Sequence, residues 1–577
     1  MACGSGDPIG WIVGESTPAR SLLIFERNGY TPRAGDYIVA ESSEGCVLGI
    51  VETVWAGHRM LPPSVTDPRA VDHIAQWTVQ AGGEDLYNRG SVRWLALLEP
   101  LLAKGRVVAP KTPVVPGSKI YRADPSSLSR IFSGEGLEKG WIRLGSLASD
   151  QNVAFHVNAN GLMRHLAILA VTGGGKSNTV CIMAKRIVGE LCGTMVIFDM
   201  HGEYSKLNLA NVTLKVHRPP KLNPLRITIR ELYKLVNLPE NATRQMRYLR
   251  WAWRGAIASY MKMTGKTTTP YQDVVGLAKS LLEFLEQFQG RNTNTSLVNA
   301  FRKEDQPREQ RIKRIAGALS QYLPSGVDPS IVAEALIDYS LTPPRQVTGD
   351  SLEGAIAKLE DLQDYYSDVI DVTAHYNLVD AIPPCTLTVF DLSELEESAA
   401  DAVVSHYLRR LLQERKQAKV GAGGYPYPVV AVVEEAHVLV PRDASTLTRH
   451  WAARIAREGR KFGVGLVLVS QRPKNVDANV LSQMNNKIVL RTVEPEDIRY
   501  IQRASEEMSD DIAGLLPTLN PGEAIVLGKM ATLPALVKID ECSPEEKPLG
   551  GDINVVGQWL QARRAKREVE EELEDLW

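Results

Sequence analysis

A glycine-rich turn between an apolar run and a helix-like segment has the composition of a phosphate-binding loop. The apolar run covers 166–171, and the helix-like segment covers 180–191. Glycines let backbone N–H groups converge on an anion, and the positive end of the following helix adds to the attraction. The predicted nucleotide-binding residues are Gly173, Gly174, Gly175, Lys176, Ser177 and Asn178.

Within this loop, Lys176 and Ser177 occupy the positions that handle a nucleoside triphosphate and its metal ion. The lysine is expected to reach the β- and γ-phosphates of ATP, and the serine hydroxyl is expected to bind Mg²⁺. Ala170 stands where the loop pattern has its first glycine, and alanine is small enough for the turn. The competing interpretation is a glycine turn that precedes Lys-Ser by chance.

A second chemical signal is a pair of glutamates directly after the apolar strand predicted over 429–433. A buried strand that ends in two acids, downstream of a phosphate loop, is a Walker B arrangement. We expect Glu434, which stands where aspartate is usual, to help hold Mg²⁺ through water. We expect Glu435 to orient and deprotonate the attacking water as the catalytic base.

Two further predicted strands end in polar residues. Polar side chains over 199–204 follow the strand 194–199, and residues 470–473 follow the strand 464–469. Because the carboxyl ends of parallel strands face the ligand crevice, we expect both sets beside the nucleotide. A zinc site at the first set is the weaker alternative.

Positive charge is local in this chain, whose formal net charge is −2. The stretch 441–461 carries six basic residues against two acidic ones, and Arg442 and Arg449 lie closest to its turn-like Ser/Thr-rich segment. We therefore predict that these two arginines contact DNA. The rival is a predicted helix with an arginine stripe within ~120° of arc, a pattern that is more often a solvated face. Its members are Arg244, Arg247, Arg250 and Arg254.

Composition limits the remaining possibilities. The six cysteines are scattered and form no C-x-x-C pair, so neither a zinc site nor a disulfide framework is predicted. The N-terminus lacks a signal-peptide pattern, and no run reaches the ~18 apolar residues of a membrane span. We expect a multidomain, cytoplasmic protein from the 577 residues.

The predicted elements change in kind along the chain. Short alternating strands over 10–15, 21–27, 36–42, 46–54, 92–98 and 105–115 predict a small β-barrel. Strands that alternate with helices from Trp141 onward predict an α/β fold around a mainly parallel sheet, interrupted by a helical insertion. The predicted segments are 1–140 (barrel), 141–226 (core, first part), 227–375 (helical insertion), 376–545 (core, second part) and 546–577 (tail).

Seven segments, in this order, resemble those of the archaeal HerA DNA translocases, hexameric ATPases of the FtsK–HerA branch of RecA-like motors. The resemblance implies a RecA-like P-loop ATPase core, and the barrel is similar to the HAS barrel of that family. It is dense from about 141 to 539, and 292–340 lies outside it. The segments are 164–180, 196–204, 221–225, 401–412, 431–437, 451–473 and 481–491.

The resemblance implies a function and partners. Similar proteins form a hexameric ring with ATP between subunits and double-stranded DNA in the channel. They work with the NurA nuclease, which docks on the barrel, in DNA end resection for double-strand break repair by homologous recombination. The same pathway involves the Mre11–Rad50 repair machinery.

The resemblance also implies roles for three more residues. Arg460 matches an arginine that reaches into the neighbouring subunit's ATP site, and Arg164 matches a second basic residue linked to that site. Gln471 matches the sensor glutamine. The alternative for Arg460 is a DNA contact or a structural ion pair.

Two other functions stay open at this stage. One is an FtsK-like or conjugative DNA pump, which the absence of a predicted membrane span disfavours. The other is a nucleotide-gated DNA clamp or scaffold without turnover, which Glu435 and Arg460 disfavour. An ATPase assay separates the clamp from the two motors.

Overall fold

The computed structural model describes residues 3, 6–26, 30–80, 85–134, 140–265, 271–290, 295–302, 306–366, 368–374, 376–549 and 555–563. In this part of the chain, no helix has the length and apolarity needed to cross a membrane. Most of the predicted tail, including 564–577, lies outside the described residues.

The N-terminal region forms the predicted β-barrel, closed in the strand order β1-β2-β5-β4-β3-β6. Helix α1 (Pro68–Gln80) lies between β4 and β5, and α2 (Leu98–Lys104) and α3 (Pro125–Ser133) follow β5 and β6. The six strands are β1 (Gly10–Ser16), β2 (Arg20–Phe25), β3 (Tyr37–Ser42), β4 (Gly45–His58), β5 (Leu86–Leu97) and β6 (Lys119–Arg122).

One predicted barrel strand is wrong. The segment 105–115 forms no strand, and the short β6 closes the barrel by pairing with both β1 and β3. The segment contains Pro110 and Pro113, which have no backbone N–H to donate to a strand ladder. Its alternating apolar residues therefore do not produce a strand.

The core is an eleven-stranded sheet in the order β11-β12-β10-β13-β14-β9-β15-β16-β17-β7-β8. Neighbours from β11 to β15 pair in parallel, and those from β15 to β8 pair antiparallel. The predicted α/β fold with a mainly parallel sheet is confirmed. The strands are β7 (Trp141–Leu147), β8 (Ala154–Asn158), β9 (Leu166–Leu169), β10 (Met195–Asp199), β11 (Thr213–His217), β12 (Thr386–Asp391), β13 (Val429–Val433), β14 (Val464–Ser470), β15 (Asn486–Leu490), β16 (Glu523–Leu527) and β17 (Ala535–Ile539).

Helices cover the sheet, and a run of them lies between β11 and β12. Helix α4 (Lys176–Ala184) continues as a π-helical turn, Lys185–Glu190. The helices between β11 and β12 are α5 (Ile229–Leu235), α6 (Thr243–Thr264), α7 (Val274–Phe284), α8 (Thr295–Arg302), α9 (Arg308–Leu319), α10 (Pro329–Asp338), α11 (Gly349–Tyr366) and α12 (Leu378–Ala381). Those after β12 are α13 (Glu397–Lys419), α14 (Ala436–Leu439), α15 (Leu447–Glu458), α16 (Ala478–Ser482), α17 (Pro495–Arg503) and α18 (Asp510–Leu515).

The barrel packs on the antiparallel side of the core. The Tyr37 hydroxyl donates to the Pro534 carbonyl oxygen at 2.9 Å, and the Ser509 hydroxyl donates to the Glu52 carboxylate at 2.6 Å. Apolar side chains of β3 and β4 share one buried cluster with those of β16 and β17. The barrel therefore contacts the antiparallel strands of the sheet.

The prediction that the chain has no disulfide framework is wrong. Cys3 bonds to Cys46, and Cys192 bonds to Cys385. The second pair follows from strand topology, because Cys192 shortly precedes β10, Cys385 directly precedes β12, and these two strands are neighbours in the sheet. A separation of 193 residues leaves no local pattern by which the sequence could reveal this pairing.

Candidate active site

Four parallel strands deliver their following residues to one cavity of about 410 Å³ at the carboxyl edge of the sheet. Strand β9 leads into the glycine loop, and the central strands β10, β13 and β14 end beside it. The arrangement is the ligand crevice expected of such a sheet. The lining residues are Thr172, Gly173, Gly175, Lys176, Ser177, Asn178, Asp199, His201, Glu203, Tyr204, Glu434, Glu435 and Gln471.

The glycine loop has the shape of a phosphate cradle. Gly173 and Gly175 have φ values of 73° and 101°, which side chains other than glycine rarely adopt. A Cβ on Gly174 would lie 3.0 Å from both the Ala170 Cβ and the Val171 carbonyl oxygen, so only glycine fits without a shift. Ala170 itself is buried at the end of β9 and replaces the first glycine of the pattern without a clash.

Lys176 lies folded over this loop. Its Nζ donates to the carbonyl oxygens of Ala170 at 3.3 Å and Val171 at 3.2 Å. Burial lowers the pKa of Lys176, and the nearby carboxylates of Glu435 and Glu434 oppose that change. The ammonium is thus a charge held near the loop by weak carbonyl contacts, which a phosphate group can replace.

The side chains of the two residues after Lys176 have different hydrogen-bond partners. The Ser177 hydroxyl donates to Glu203 Oε2 at 2.7 Å inside the cavity. The Asn178 side chain instead ties α4 to the segment after β17. It donates to the Asp540 carbonyl oxygen and accepts from the Cys542 N–H, both at 2.9 Å. Asn178 also lines the cavity, so its assignment to nucleotide binding stays a prediction.

Glu434 is buried at the end of β13 and accepts a hydrogen bond from the Tyr204 hydroxyl. Burial raises the pKa of Glu434 to about 8, and the carboxylates of Asp199 and Glu435 add to the rise. A divalent cation beside this side chain would favour its ionised form.

The donor set fits Mg²⁺ held partly by phosphate and water. In the described part of the chain, no three His, Cys, Asp or Glu side chains form a metal-binding group. Hard oxygen ligands remain in the Ser177 hydroxyl and the Glu434 carboxylate, which line the same cavity. Ser177 and Glu434 would hold Mg²⁺, the latter through water, and the ion would supply positive charge beside the phosphates.

Glu435 follows with a left-handed backbone, φ 45°, which is uncommon for glutamate. Its Oε2 lies 3.1 Å from His437 Nδ1, and its Oε1 lies 3.5 Å from His201 Nε2. Burial alone would raise the pKa of Glu435, but His437, Lys176 and His201 outweigh it and lower that pKa. Adjacent glutamates thus differ, because the pKa of one is raised and that of the other is lowered.

Gln471 follows β14 and faces the glycine loop. Its Oε1 accepts a hydrogen bond of 2.6 Å from the Thr172 hydroxyl. This contact joins the loop of β9 to the end of its neighbour β14.

Arg164 and Arg460 lie at the opposite edge of the sheet, because each precedes the strand that leads toward the cavity. Arg164 ends a 3-10 turn before β9, and Arg460 lies in the 3-10 turn Gly459–Phe462 before β14; the two turns are in contact. Neither guanidinium has a hydrogen bond or ion pair with any residue that the structure describes. Arg164 lines a separate cavity of about 240 Å³.

The two arginines predicted to contact DNA, Arg442 and Arg449, differ in how strongly their side chains are already bonded. Arg449 bonds Asp477 at 2.7 Å and donates to the carbonyl oxygens of Arg442 and Ala444. The Arg449 backbone lies in α15. This helix begins at Leu447, so it already includes the last residues of the segment that was predicted to be turn-like. The Arg442 side chain is 55% exposed and only 3.7 Å from the exposed Asp443.

Tyr204 and His437 contact the glutamate pair, and neither was assigned a specific role from the sequence, although Tyr204 lies in the segment expected beside the nucleotide. Tyr204 bonds Glu434, and His437 lies against Glu435 while its Nδ1 is 3.3 Å from the Ser470 hydroxyl. Their positions gave a signal: Tyr204 closes the polar segment after β10, and His437 is two residues beyond Glu435. The Tyr204–Glu434 and His437–Ser470 contacts join residues that follow different strands, which no single segment reveals, whereas His437 and Glu435 both follow β13.

The chain is similar in sequence to known protein families and relatives. The family model "Helicase HerA, central domain" matches residues 142–411, and "Helicase HerA-like C-terminal" matches 391–545. The DNA double-strand break repair helicase HerA of Sulfurisphaera tokodaii is 38% identical over 571 residues, covering 98% of this chain and 99% of that protein. The protein of the same name from Sulfolobus acidocaldarius is 36% identical, covering 97% of each.

Two solved structures are similar to part of this chain. The bacterial conjugative coupling protein TrwBdeltaN70 has a TM-score of 0.41 and 13% identity, covering 73% of this chain and 92% of that one. VirB4 of Thermoanaerobacter pseudethanolicus has a TM-score of 0.40 and 18% identity, covering 71% and 98%.

Proposed function

The chain belongs to the HerA helicase family, and from that premise we propose that it is an ATP-driven translocase on double-stranded DNA. One observation carries the proposal. The glycine loop with Lys176 and the acidic pair Glu434 and Glu435 line a single cavity at the carboxyl edge of the sheet. That set of groups is what phosphoryl transfer to water requires.

The roles follow from position and charge. Lys176 and the loop N–H groups hold the triphosphate, and Ser177 with Glu434 hold Mg²⁺, which supplies positive charge to the phosphates when bound. Glu435 stays ionised because its pKa is lowered, so it can accept a proton from the attacking water. His437 and His201 keep that carboxylate oriented.

We assign Arg460 and Arg164 to the ATP site of a neighbouring subunit in a homohexameric ring. Both lie at the sheet edge away from their own cavity, and neither has a partner within the described residues. An arginine supplied in trans neutralises charge on the transferring phosphoryl group. Gln471, which bonds Thr172, is assigned to sense the γ-phosphate.

DNA is proposed to pass through the ring. Of the two residues predicted to grip it, Arg442 is the better candidate, because the Arg449 guanidinium is already bonded to Asp477 and two carbonyl oxygens. A phosphate contact by Arg442 would be independent of base sequence.

The biological setting is proposed from family membership. We assign the barrel to docking of the NurA nuclease, and the pair to DNA end resection in double-strand break repair by homologous recombination, alongside the Mre11–Rad50 machinery. The relatives from Sulfurisphaera tokodaii and Sulfolobus acidocaldarius are named double-strand break repair helicases.

The test is hydrolysis coupled to movement. ATP turnover is measured with and without Mg²⁺ and linear duplex DNA, and displacement of a triplex-forming strand reports translocation. We expect Mg²⁺-dependent turnover that DNA stimulates, and displacement only with hydrolysable ATP. Nucleotide binding without turnover would instead identify a clamp.

A further inference from the structure

Helix α6 carries an exposed arginine face that the ATPase mechanism does not use. The helix contains five basic residues and no acidic one. Four of its arginines are exposed, while the opposite face is buried against neighbouring helices. We define this surface as the α6 arginine face: Arg244, Arg247, Arg250 and Arg254.

Packing fixes the orientation of this face. The Tyr248 hydroxyl donates to the Gln346 carbonyl oxygen, and Trp251 Nε1 donates to the Leu341 carbonyl oxygen, both at 3.1 Å. Both side chains are buried. The helix therefore cannot rotate to hide its arginines without losing these bonds.

The arginines of the face are unpaired, whereas the remaining basic residue of the helix is paired. Lys262 lies 2.6 Å from Asp338 and 3.1 Å from Glu334, and Arg308 also bonds these two acids. None of the four arginines has an ion pair or side-chain hydrogen bond with a described residue. Charge on this helix is thus neutralised at one end and left free along the rest.

The spacing of the face suits a nucleic-acid backbone. Arg254 lies ten positions after Arg244, which is about 15 Å along a helix. One strand of duplex DNA presents about four phosphates over that axial length. No large apolar side chain between 243 and 254 is exposed, so the face lacks the apolar centre of a protein interface.

We propose that the α6 arginine face binds the phosphate backbone of duplex DNA, as a contact separate from the ATPase core. The proposal rests on the proposed function, since it requires a protein that holds DNA. It gives the helical insertion a role as a second grip. The contact is independent of sequence and of nucleotide, because it uses only guanidinium charge.

The test uses the full chain with all four arginines changed to Gln, and fluorescence anisotropy with labelled duplex DNA over a salt series. We expect affinity to fall at least about tenfold at low salt, and the slope of log Kd against log salt to fall by about 3 to 4. The change of all four to Lys, which keeps the charge, should keep the slope. Lys262→Gln is the matched control and should leave affinity unchanged.

The outcomes separate this proposal from the function on which it rests. If the unaltered protein binds no DNA, the proposed function fails. If it binds DNA and the four-Gln variant binds with the same affinity and slope, the α6 proposal alone is overturned. Loss of assembly with an unchanged DNA slope would show a protein interface instead. If the four-Gln variant does not fold, Arg247→Gln decides, with an expected slope change of about 0.9.

Discussion

The two edges of the parallel sheet are built in opposite ways. At the carboxyl edge, the side chains of the cavity hold one another: Ser177 bonds Glu203, Tyr204 bonds Glu434, and Thr172 bonds Gln471. At the amino edge, the guanidinium groups of Arg164 and Arg460 have no partner within the described residues. One edge is organised in advance, and the other presents free charge.

This difference indicates which charged groups a single chain places at its own cavity and which it does not. A preorganised pocket stabilises charge without reorganising during the reaction, which suits the nucleotide-holding edge. Arg164 and Arg460 precede β9 and β14, so each lies one strand length away from the cavity of its own chain. Under the proposed function, they act when a second subunit brings its cavity to them. Hydrolysis would then report on assembly.

Removing charge from the amino edge should have the largest effect. We expect Arg460→Ala to lower kcat about 1,000-fold, because a trans arginine stabilises the transition state of phosphoryl transfer. Affinity for ATP, set by the other edge, should change little. Steady-state kinetics and nucleotide binding measure both quantities.

Lys461→Ala is the control for this variant, since it removes an exposed charge from the same turn. We expect its kcat to stay within about threefold of the unaltered protein, as for a surface charge. Equal losses in the two variants would show that only general charge at this edge matters.

Removing the proposed base at the carboxyl edge should have the second-largest effect on turnover. We expect Glu435→Gln to lower turnover about 100-fold while ATP still binds, because proton transfer is lost and the lysine contact is kept. Single-turnover hydrolysis with bound ATP is the measurement. Turnover at the unaltered rate would show that another group accepts the proton.

Lys176→Ala should act on binding rather than on turnover. Loss of a charge-assisted contact to phosphate should weaken nucleotide affinity about tenfold or more. Calorimetric titration with a non-hydrolysable analogue measures it. Lys206→Ala removes an exposed lysine near the cavity and should leave affinity intact; equal weakening in both variants contradicts the assignment.

The smallest expected effect is a pH dependence of stability. Burial raises the pKa of Glu434 to about 8 from the ordinary 4.5, so the folded protein holds an extra proton between these values. Stability from this group is therefore present at low pH and lost as pH rises toward 8. We expect Glu434→Gln, without nucleotide, to gain in Tm over the unaltered protein across that range. A constant Tm difference would contradict this.

Local patterns in the sequence were enough for much of this architecture. The strands β9, β10, β13 and β14 were predicted because each is a short apolar run that ends in polar residues. The strands of the barrel were predicted instead from their alternating apolar residues. The exception, 105–115, had the apolar alternation but two prolines that prevent strand pairing.

Contacts between distant segments could not be predicted. The bond from Tyr204 to Glu434 spans 230 residues, and the Cys192–Cys385 disulfide spans 193. Arg449 was predicted to contact DNA because of the local charge density, yet its ion pair with Asp477 depends on how α15 meets α16. The partners of a charged side chain are a property of the fold, and local sequence does not contain them.

The central claim is that each ATP site takes its base from one subunit and its arginine from the next. Arg460→Ala subunits are mixed with Glu435→Gln subunits, and ATP turnover is measured against each variant alone. In a head-to-tail ring, about a quarter of the interfaces in a random mixture pair an intact arginine with an intact glutamate. We predict that turnover reappears on mixing, in proportion to such interfaces. A mixture that stays as inactive as its components, although the subunits co-assemble, would place Arg460 and Glu435 in the same subunit's site and contradict the account.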